Sequence, residues 1–143
     1  MANDDGGLAD VLAAFDRVIA ASREAAMTSL IGGANEVAAL QRHLAPKDTG
    51  ALADSIHVSM PGEATPAFSQ PGGSRVAGPN EVIVTVGDHV VRYPHMVEFG
   101  TSKMEAEPFF WPPYRYLAPK IKRRVATRYK RAVRKAWSKW GGQ

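Results

Sequence analysis

Residues 93–113 read YPHMVEFGTSKMEAEPFFWPP, and this stretch decides how the two ends of the chain are joined. It places four prolines and three glutamates among aromatic residues, yet it holds neither a nucleophile with its base nor a full set of metal ligands. Pro94 can open a single helical turn that Gly100 ends. The composition therefore indicates a shaped contact surface and not a reaction centre.

Upstream of this stretch, apolar residues recur at intervals of three and four, which predicts an amphipathic helix over residues 8–44. Gly32 and Gly33 interrupt the pattern, and each costs about 1 kcal/mol relative to alanine inside a helix. We therefore expect a kink or a break into two helices at this point. The helix should stop before Pro46, because the residue preceding a proline is pushed out of helical geometry.

Downstream, Pro112 and Pro113 can start a last helix, whose apolar stripe runs from Leu117 to Trp140. Its other faces hold ten basic residues with no acidic one between them, a set that would self-repel unless something anionic lies opposite. We predict that this basic face meets either DNA in a lumen or an acidic partner. The ten residues are Lys120, Lys122, Arg123, Arg124, Arg128, Lys130, Arg131, Arg134, Lys135 and Lys139.

Between the helices, alternating apolar residues predict a first strand near residues 56–60 and a β-hairpin of residues 81–86 and 89–93 around Gly87-Asp88. Residues 61–80 contain eight glycines and prolines, which predicts a flexible loop insert. The expected fold is α+β: a long N-terminal helix, a small antiparallel sheet with this insert, and a long basic C-terminal helix. We predict one domain over residues 1–143, with residues 1–7 disordered.

Composition narrows the class of protein. The chain has 143 residues and no cysteine, so disulfides and thiolate metal sites are excluded. It contains no apolar run of the roughly 20 residues that a membrane span needs, and its acidic start is unlike a secretory signal. Residues 1–107 hold all 14 acidic residues and 7 basic ones, whereas residues 108–143 hold 11 basic residues. This polarity favours contact between unlike surfaces, or between the basic helix and DNA phosphates, an acidic membrane leaflet or an acidic protein.

Three short patterns suggest chemistry without the context it needs. Residues 48–50 read Asp-Thr-Gly, the active-site triplet of aspartic proteases, but that fold is almost entirely β and lacks long terminal helices. We interpret the triplet as a turn in which Asp48 caps local backbone N–H groups. His89, His95 and Glu98 match no metal-ligand spacing. The glycine-rich residues 71–75 lack the Lys-Ser/Thr ending of a phosphate loop. We therefore predict no catalytic residue, no metal and no cofactor.

Three ordered blocks resemble the small tail-component, or neck, protein family of long-tailed double-stranded DNA bacteriophages. Residues 45–52 with Ser55-Ile56 are similar to the A-P-x-D-T-G-x-L-x-x-S-I signature of that family. Tyr93 with residues 97–103 resembles its Y-x-x-x-V-E-F-G-T segment, and residues 106–112 resemble A-x-P-F-x-x-P. With a helix at each end, the resemblance covers about residues 8–140.

The resemblance implies a non-enzymatic virion protein that forms a ring, often sixfold, at the head–tail junction and completes the tail or joins it to the head. Implied partners are further copies of the chain and the stopper or connector, terminator and tail-tube proteins, with packaged DNA contacted non-specifically and no membrane. Assembly would occur in the cytoplasm of the bacterial host. A tail terminator ring and a DNA-binding module remain alternatives. We predict a subunit or partner interface at Asp48, Thr49, Glu98, Phe99, Thr101, Phe109, Phe110, Trp111, Trp137 and Trp140.

Overall fold

The computed structural model describes residues 6–141, and the side chains of residues 6–139 within that range. Most of the predicted disordered start, residues 1–5, and the side chain of Trp140 lie outside the described part. The chain is a helix-dominated mixture of α and β structure, which confirms the α+β prediction. Its elements are α1 (Leu8–Leu44), α2 (Ala51–Asp54), β1 (His57–Ser59), β2 (Ile83–Thr85), α3 (Pro94–Phe99) and α4 (Trp111–Gly141).

Helix α1 passes through Gly32 and Gly33 without interruption, so of the two expected outcomes the break into two helices is wrong, and the kink stays a prediction. The physical reason lies in tertiary packing. Gly33 is buried, and a Cβ atom placed on it would stand 2.6 Å from Cγ2 of Ile121. The glycine thus lets α1 approach the Ile121 side chain closely, and this packing overrides the low helix propensity of glycine. Gly32 is exposed, with no atom within 4 Å of its would-be Cβ.

The sheet has two antiparallel strands, with His57 opposite Thr85 and Ser59 opposite Ile83. The predicted first strand is therefore confirmed at β1, but the predicted hairpin of residues 81–93 is wrong, because β2 pairs back with β1. After β2 the chain folds into a tight turn instead. Oδ1 of Asp88 accepts hydrogen bonds from the N–H groups of Val90 and Val91, each 2.8 Å long. These local side-chain bonds compete with strand pairing.

The same turn predicts a small pH dependence of stability. The N–H groups of Val91 and Val90 lower the pKa of Asp88 below its ordinary value, so folding favours the charged carboxylate. Its contribution is fully present above the ordinary aspartate pKa and is lost as the pH falls through the folded value. We expect Asp88→Ala to unfold at a slightly lower temperature than wild type near pH 7. The difference should shrink towards about pH 3. Asp54→Ala, which removes an exposed aspartate outside this turn, is the matched control near pH 7.

The insert at residues 61–80 has hydrogen-bonded structure of its own. Ala64 and Val76 form an antiparallel bridge, and the N–H of Gly62 donates to the carbonyl of Ala77 over 2.9 Å. Phe68 adopts a positive φ of 62°, and the Arg92 guanidinium lies 4.4 Å from the centre of its ring. The flexibility of this segment stays a prediction.

By its internal contacts the chain divides into two units. The first unit contains residues 1–29 and 122–143, of which the described part is the first half of α1 and most of α4. The second unit contains residues 30–121. Its core joins residues of α1 and the position after it, of α2, of the segments next to β1 and β2, of the turn after β2, and of the two positions just before α4. The buried members are Ala38, Ala45, Leu52, Ile56, Val86, Val91, Phe109 and Phe110.

Candidate assembly surfaces

Glu98 organises residues 93–113 of the second unit, which we call the joining stretch. It lies in α3, which Pro94 opens and Gly100 ends as the sequence predicts, and its side chain is buried. One carboxylate oxygen, Oε2, accepts hydrogen bonds from the N–H groups of Phe109 and Phe110 over 2.8 and 2.9 Å. The other oxygen, Oε1, accepts one from Trp111 over 3.1 Å. A carboxylate therefore caps the free N–H groups where α4 begins, the end at which the helix dipole favours negative charge.

Gln41 adds a second polar link that the sequence reasoning missed. Its Nε2 donates to the carbonyl of Phe110 over 2.8 Å, and the side chain is buried. The signal was a glutamine among the apolar positions of α1 that face the core. Phe109 and Phe110 pack edge to face with ring centres 6.4 Å apart, and both lie in the core. The joining stretch is thus an internal clamp between α1, α3 and α4.

An apolar cavity of about 360 Å³ lies beside this clamp. Its walls include Pro94, Phe110 and Trp111, and Phe99 stands at its side with 70% of its surface exposed. Gln70 and His95 also line it, joined by a 3.3 Å hydrogen bond between Nε2 and Nδ1. Thr101, which follows Phe99 after one residue, is exposed in a turn bridged to Met104. Phe99 and Thr101 are therefore accessible in the single chain.

The Asp-Thr-Gly triplet forms the exposed turn that the sequence predicts, but a different side chain serves it. Oγ1 of Thr49 accepts the hydrogen bond from the Ala51 N–H over 3.3 Å, in place of the expected Asp48. Gly50 takes a φ of 80°, a conformation that glycine adopts without strain. Asp48 and Thr49 are both exposed, and α2 begins directly after the turn.

The first unit exposes a row of large apolar residues on α1. Leu8, Leu12, Phe15 and Ile19 follow one another at intervals of four, three and four, and between 49% and 56% of the surface of each is exposed. The Phe15 ring lies 5.5 Å from the ring of Trp137 on α4, and Trp137 is itself exposed. We call Leu8, Leu12, Phe15 and Ile19 the α1 stripe. The sequence predicts an amphipathic helix here, and the single chain leaves this stripe about half uncovered.

A groove of about 730 Å³ runs along the same unit. Four alanines line it, two from each helix, and charged residues edge it. The alanines are Ala13, Ala21, Ala132 and Ala136, and the charged residues are Asp10, Arg17, Lys135 and Lys139. Small side chains on both walls leave the groove open, and three of its four charges are positive.

The basic face of α4 is solvent-accessible. Nine of the ten basic residues predicted for it are exposed, and Arg124 is half-buried. The whole helix, Trp111–Gly141, contains no aspartate or glutamate. Its positive charge is therefore available to a polyanion or to an acidic protein surface.

Within residues 6–141, no three or more histidine, aspartate or glutamate side chains lie together where they could hold a metal ion. Over the same part of the chain, no helix is both long and apolar enough to cross a membrane. What the structure brings together is a buried clamp, two accessible apolar surfaces and one basic face.

A protein-family comparison identifies the family of the chain. A family model described as "Bacteriophage HK97-gp10, putative tail-component" matches residues 9–100, from the first turn of α1 to the end of α3. No curated protein matches the chain, and no solved structure matches it.

Proposed function

The chain belongs to the HK97-gp10-like family of bacteriophage tail components, and from this premise we propose that it is a structural protein of the virion neck. It would form a homomeric ring at the head–tail junction, completing the tail or joining it to the head. The family match over residues 9–100 carries this proposal. Such a ring, for which we propose six copies, needs accessible surfaces that pair with unlike surfaces of neighbouring copies.

The predicted interface residues divide by their accessibility. Asp48, Thr49, Phe99, Thr101 and Trp137 are exposed, and we propose that they contact neighbouring subunits or virion proteins. Glu98, Phe109 and Phe110 are enclosed within the chain, so they would hold this surface in place from below. Trp111 is partly buried beside the apolar cavity.

Catalysis has no part in this proposal. The stretch that resembles the family signature uses its one buried carboxylate, Glu98, to bind three backbone N–H groups. Those hydrogen bonds give Glu98 a structural task, as expected for a protein whose role is to present surfaces. A protein of this kind acts by contacting other proteins of the same virion.

Complementation tests the proposed role. A phage lacking this chain should produce heads and tails that do not join, and supplying the chain in trans should restore joined, infectious particles. Labelled chain should then be found at the neck by electron microscopy. Joined particles formed in the absence of the chain would overturn the proposal, as would label distributed along the tail tube.

The exposed basic face supports a second candidate, non-specific DNA binding. Neutralising phosphates releases counterions, so the logarithm of the binding constant should fall linearly with the logarithm of salt concentration. The triple change of Arg128, Arg131 and Arg134 to glutamine should reduce that slope by about 3 units, close to one for each lost phosphate contact. Fluorescence anisotropy with duplex DNA measures the slope.

A charge-matched control separates this candidate from a general effect of net charge. Changing Arg23, Lys47 and Lys103 to glutamine removes three exposed positive charges outside α4 and should leave the slope unchanged. Equal reductions of the salt slope in both triple variants would mean that DNA binding depends only on the net charge of the chain. No measurable binding at low salt would assign the basic face to an acidic protein partner.

A further inference from the structure

In the first unit, the α1 stripe and the groove lie on opposite sides of α1. The α1 stripe presents large side chains, whereas the groove is lined by alanines. Successive residues in an α-helix are turned by about 100°, so the mean direction of the α1 stripe lies roughly 175° from that of the α1 residues that line the groove, Asp10, Ala13, Arg17 and Ala21. One side of α1 is thus a ridge and the other a wall of a channel.

We propose that the α1 stripe of one copy of this chain inserts into the groove of the first unit of a second copy. Ridges of large side chains packing into grooves are the general mode of helix association. Alanines on both walls of the groove let an incoming helix approach closely. The occupant is a second copy, because the same two helical segments carry both the ridge and the channel.

The uncovered apolar surface gives this contact its driving force. About half of each stripe side chain faces solvent in the single chain, and Phe15 with Trp137 adds an aromatic pair to the same unit. Monomeric proteins rarely expose large apolar side chains in a contiguous row, and such rows mark interaction sites. Aromatic residues such as Phe15 and Trp137 are also typical of interface centres.

Charge complementarity favours the same pairing. Helix α1 contains Asp10 and Asp16 but no lysine or arginine before Arg17. The groove is edged by Arg17, Lys135 and Lys139 against the single acid Asp10. The acidic end of α1 from one copy therefore meets a net positive groove on the next. Arg23 lies beyond the stripe, one turn after Ile19, and does not alter this balance at its acidic end.

The contact is heterologous, since it joins two different surfaces. Heterologous contacts repeat from copy to copy and form a ring where the rotation closes. The inference deepens the proposed neck ring and rests on it for ring closure, but the pairwise contact can be tested on the purified chain alone. A contact of stripe with stripe, the two-fold alternative, would instead stop at a dimer.

Two complementary variants test the contact. Leu12→Glu with Ile19→Glu charges the stripe and leaves the groove intact, while Ala132→Trp fills the groove and leaves the stripe intact. Because the stripe residues are exposed and Ala132 lines an open groove, both variants should fold, which circular dichroism verifies. The control, Lys47→Gln with Lys103→Gln, makes the same change in net charge as the stripe variant at exposed positions outside the stripe, the groove and the basic face.

Sedimentation velocity then measures the assembly of the full chain. We expect concentration-dependent oligomers for wild type and the control, and monomers for each of the two variants alone. A mixture of the two variants should give a dimer and nothing larger, because only one intact stripe and one intact groove can meet. A wild-type chain that stays monomeric would overturn the inference. Oligomers formed by the groove variant alone would also overturn it, since they would show contact without the groove.

The stripe-and-groove contact and the proposed role in the neck can each fail while the other stands. If the stripe variant still enters joined particles at the wild-type level, the inference fails and the virion role stands. If purified wild type assembles through stripe and groove but is absent from particles, the inference stands and the virion role fails.

Discussion

Replacing Glu98 with alanine should lower the free energy of unfolding by about 3 kcal/mol. The change removes the acceptor of three backbone hydrogen bonds, from Phe109, Phe110 and Trp111, each between 2.8 and 3.1 Å long. Phe109 and Phe110 are buried, so water cannot replace the lost partner at their N–H groups without opening the core. The start of α4 would lose its anionic cap at the same time.

Urea denaturation followed by circular dichroism measures this loss. Glu98→Gln keeps one acceptor oxygen but loses the negative charge, so its stability should fall between those of wild type and Glu98→Ala. Glu105→Ala is the matched control, because Glu105 is an exposed glutamate of the same connecting segment. A Glu98→Ala protein as stable as the Glu105→Ala protein would show that the three hydrogen bonds contribute no net stability.

Local signals were sufficient for α1, for α3 and for the start of α4, although they did not predict α2. Apolar periodicity and Pro46 predicted α1 over residues 8–44, the range that the structure shows. Pro94 and Gly100 predicted both ends of α3, and Pro112 placed the start of α4 within one residue. In each case the signal acts through backbone geometry within a few residues of the boundary, so the rest of the fold is not needed to read it.

Features that depend on contacts between residues distant in the sequence were not predicted correctly. Residues 81–86 alternate as a strand does, but only tertiary structure shows that their partner is β1 and not the following segment. The side chain of Asp88 closes a turn where a returning strand was expected. Gly33 reads as a helix breaker because its reason for being glycine, Ile121, lies 88 positions away in the sequence.

The candidate surfaces show the same division. The resemblance singled out Glu98 as part of a motif, but its three N–H partners become known only when α3 meets the start of α4. The periodicity of α1 predicted an apolar stripe, but it could not show that Leu12 and Ile19 remain half uncovered. Burial depends on which helices are available to cover a stripe, and sequence periodicity reports only that a stripe exists.

The close approach at Gly33 leads to the second large effect, a loss of about 3 kcal/mol on changing Gly33 to leucine. Even the first added atom, Cβ, would stand 2.6 Å from Cγ2 and 3.0 Å from Cγ1 of Ile121. Ile121 is buried and β-branched, so its side chain cannot turn away without creating strain of its own. The clash exceeds the gain of somewhat under 1 kcal/mol in helix propensity that leucine has over glycine.

Gly32 provides the matched control, since it is the neighbouring residue of the same helix and has open space around it. Gly32→Leu should raise stability by somewhat less than 1 kcal/mol, because only the propensity term operates. Adding Ile121→Ala to Gly33→Leu should restore part of the loss, giving a coupling energy of about 1 to 3 kcal/mol in a double-mutant cycle. Additive losses in that cycle would mean that the Gly33 side of α1 does not press on Ile121. Equal changes in stability for Gly32→Leu and Gly33→Leu would show that close packing does not require a glycine at position 33.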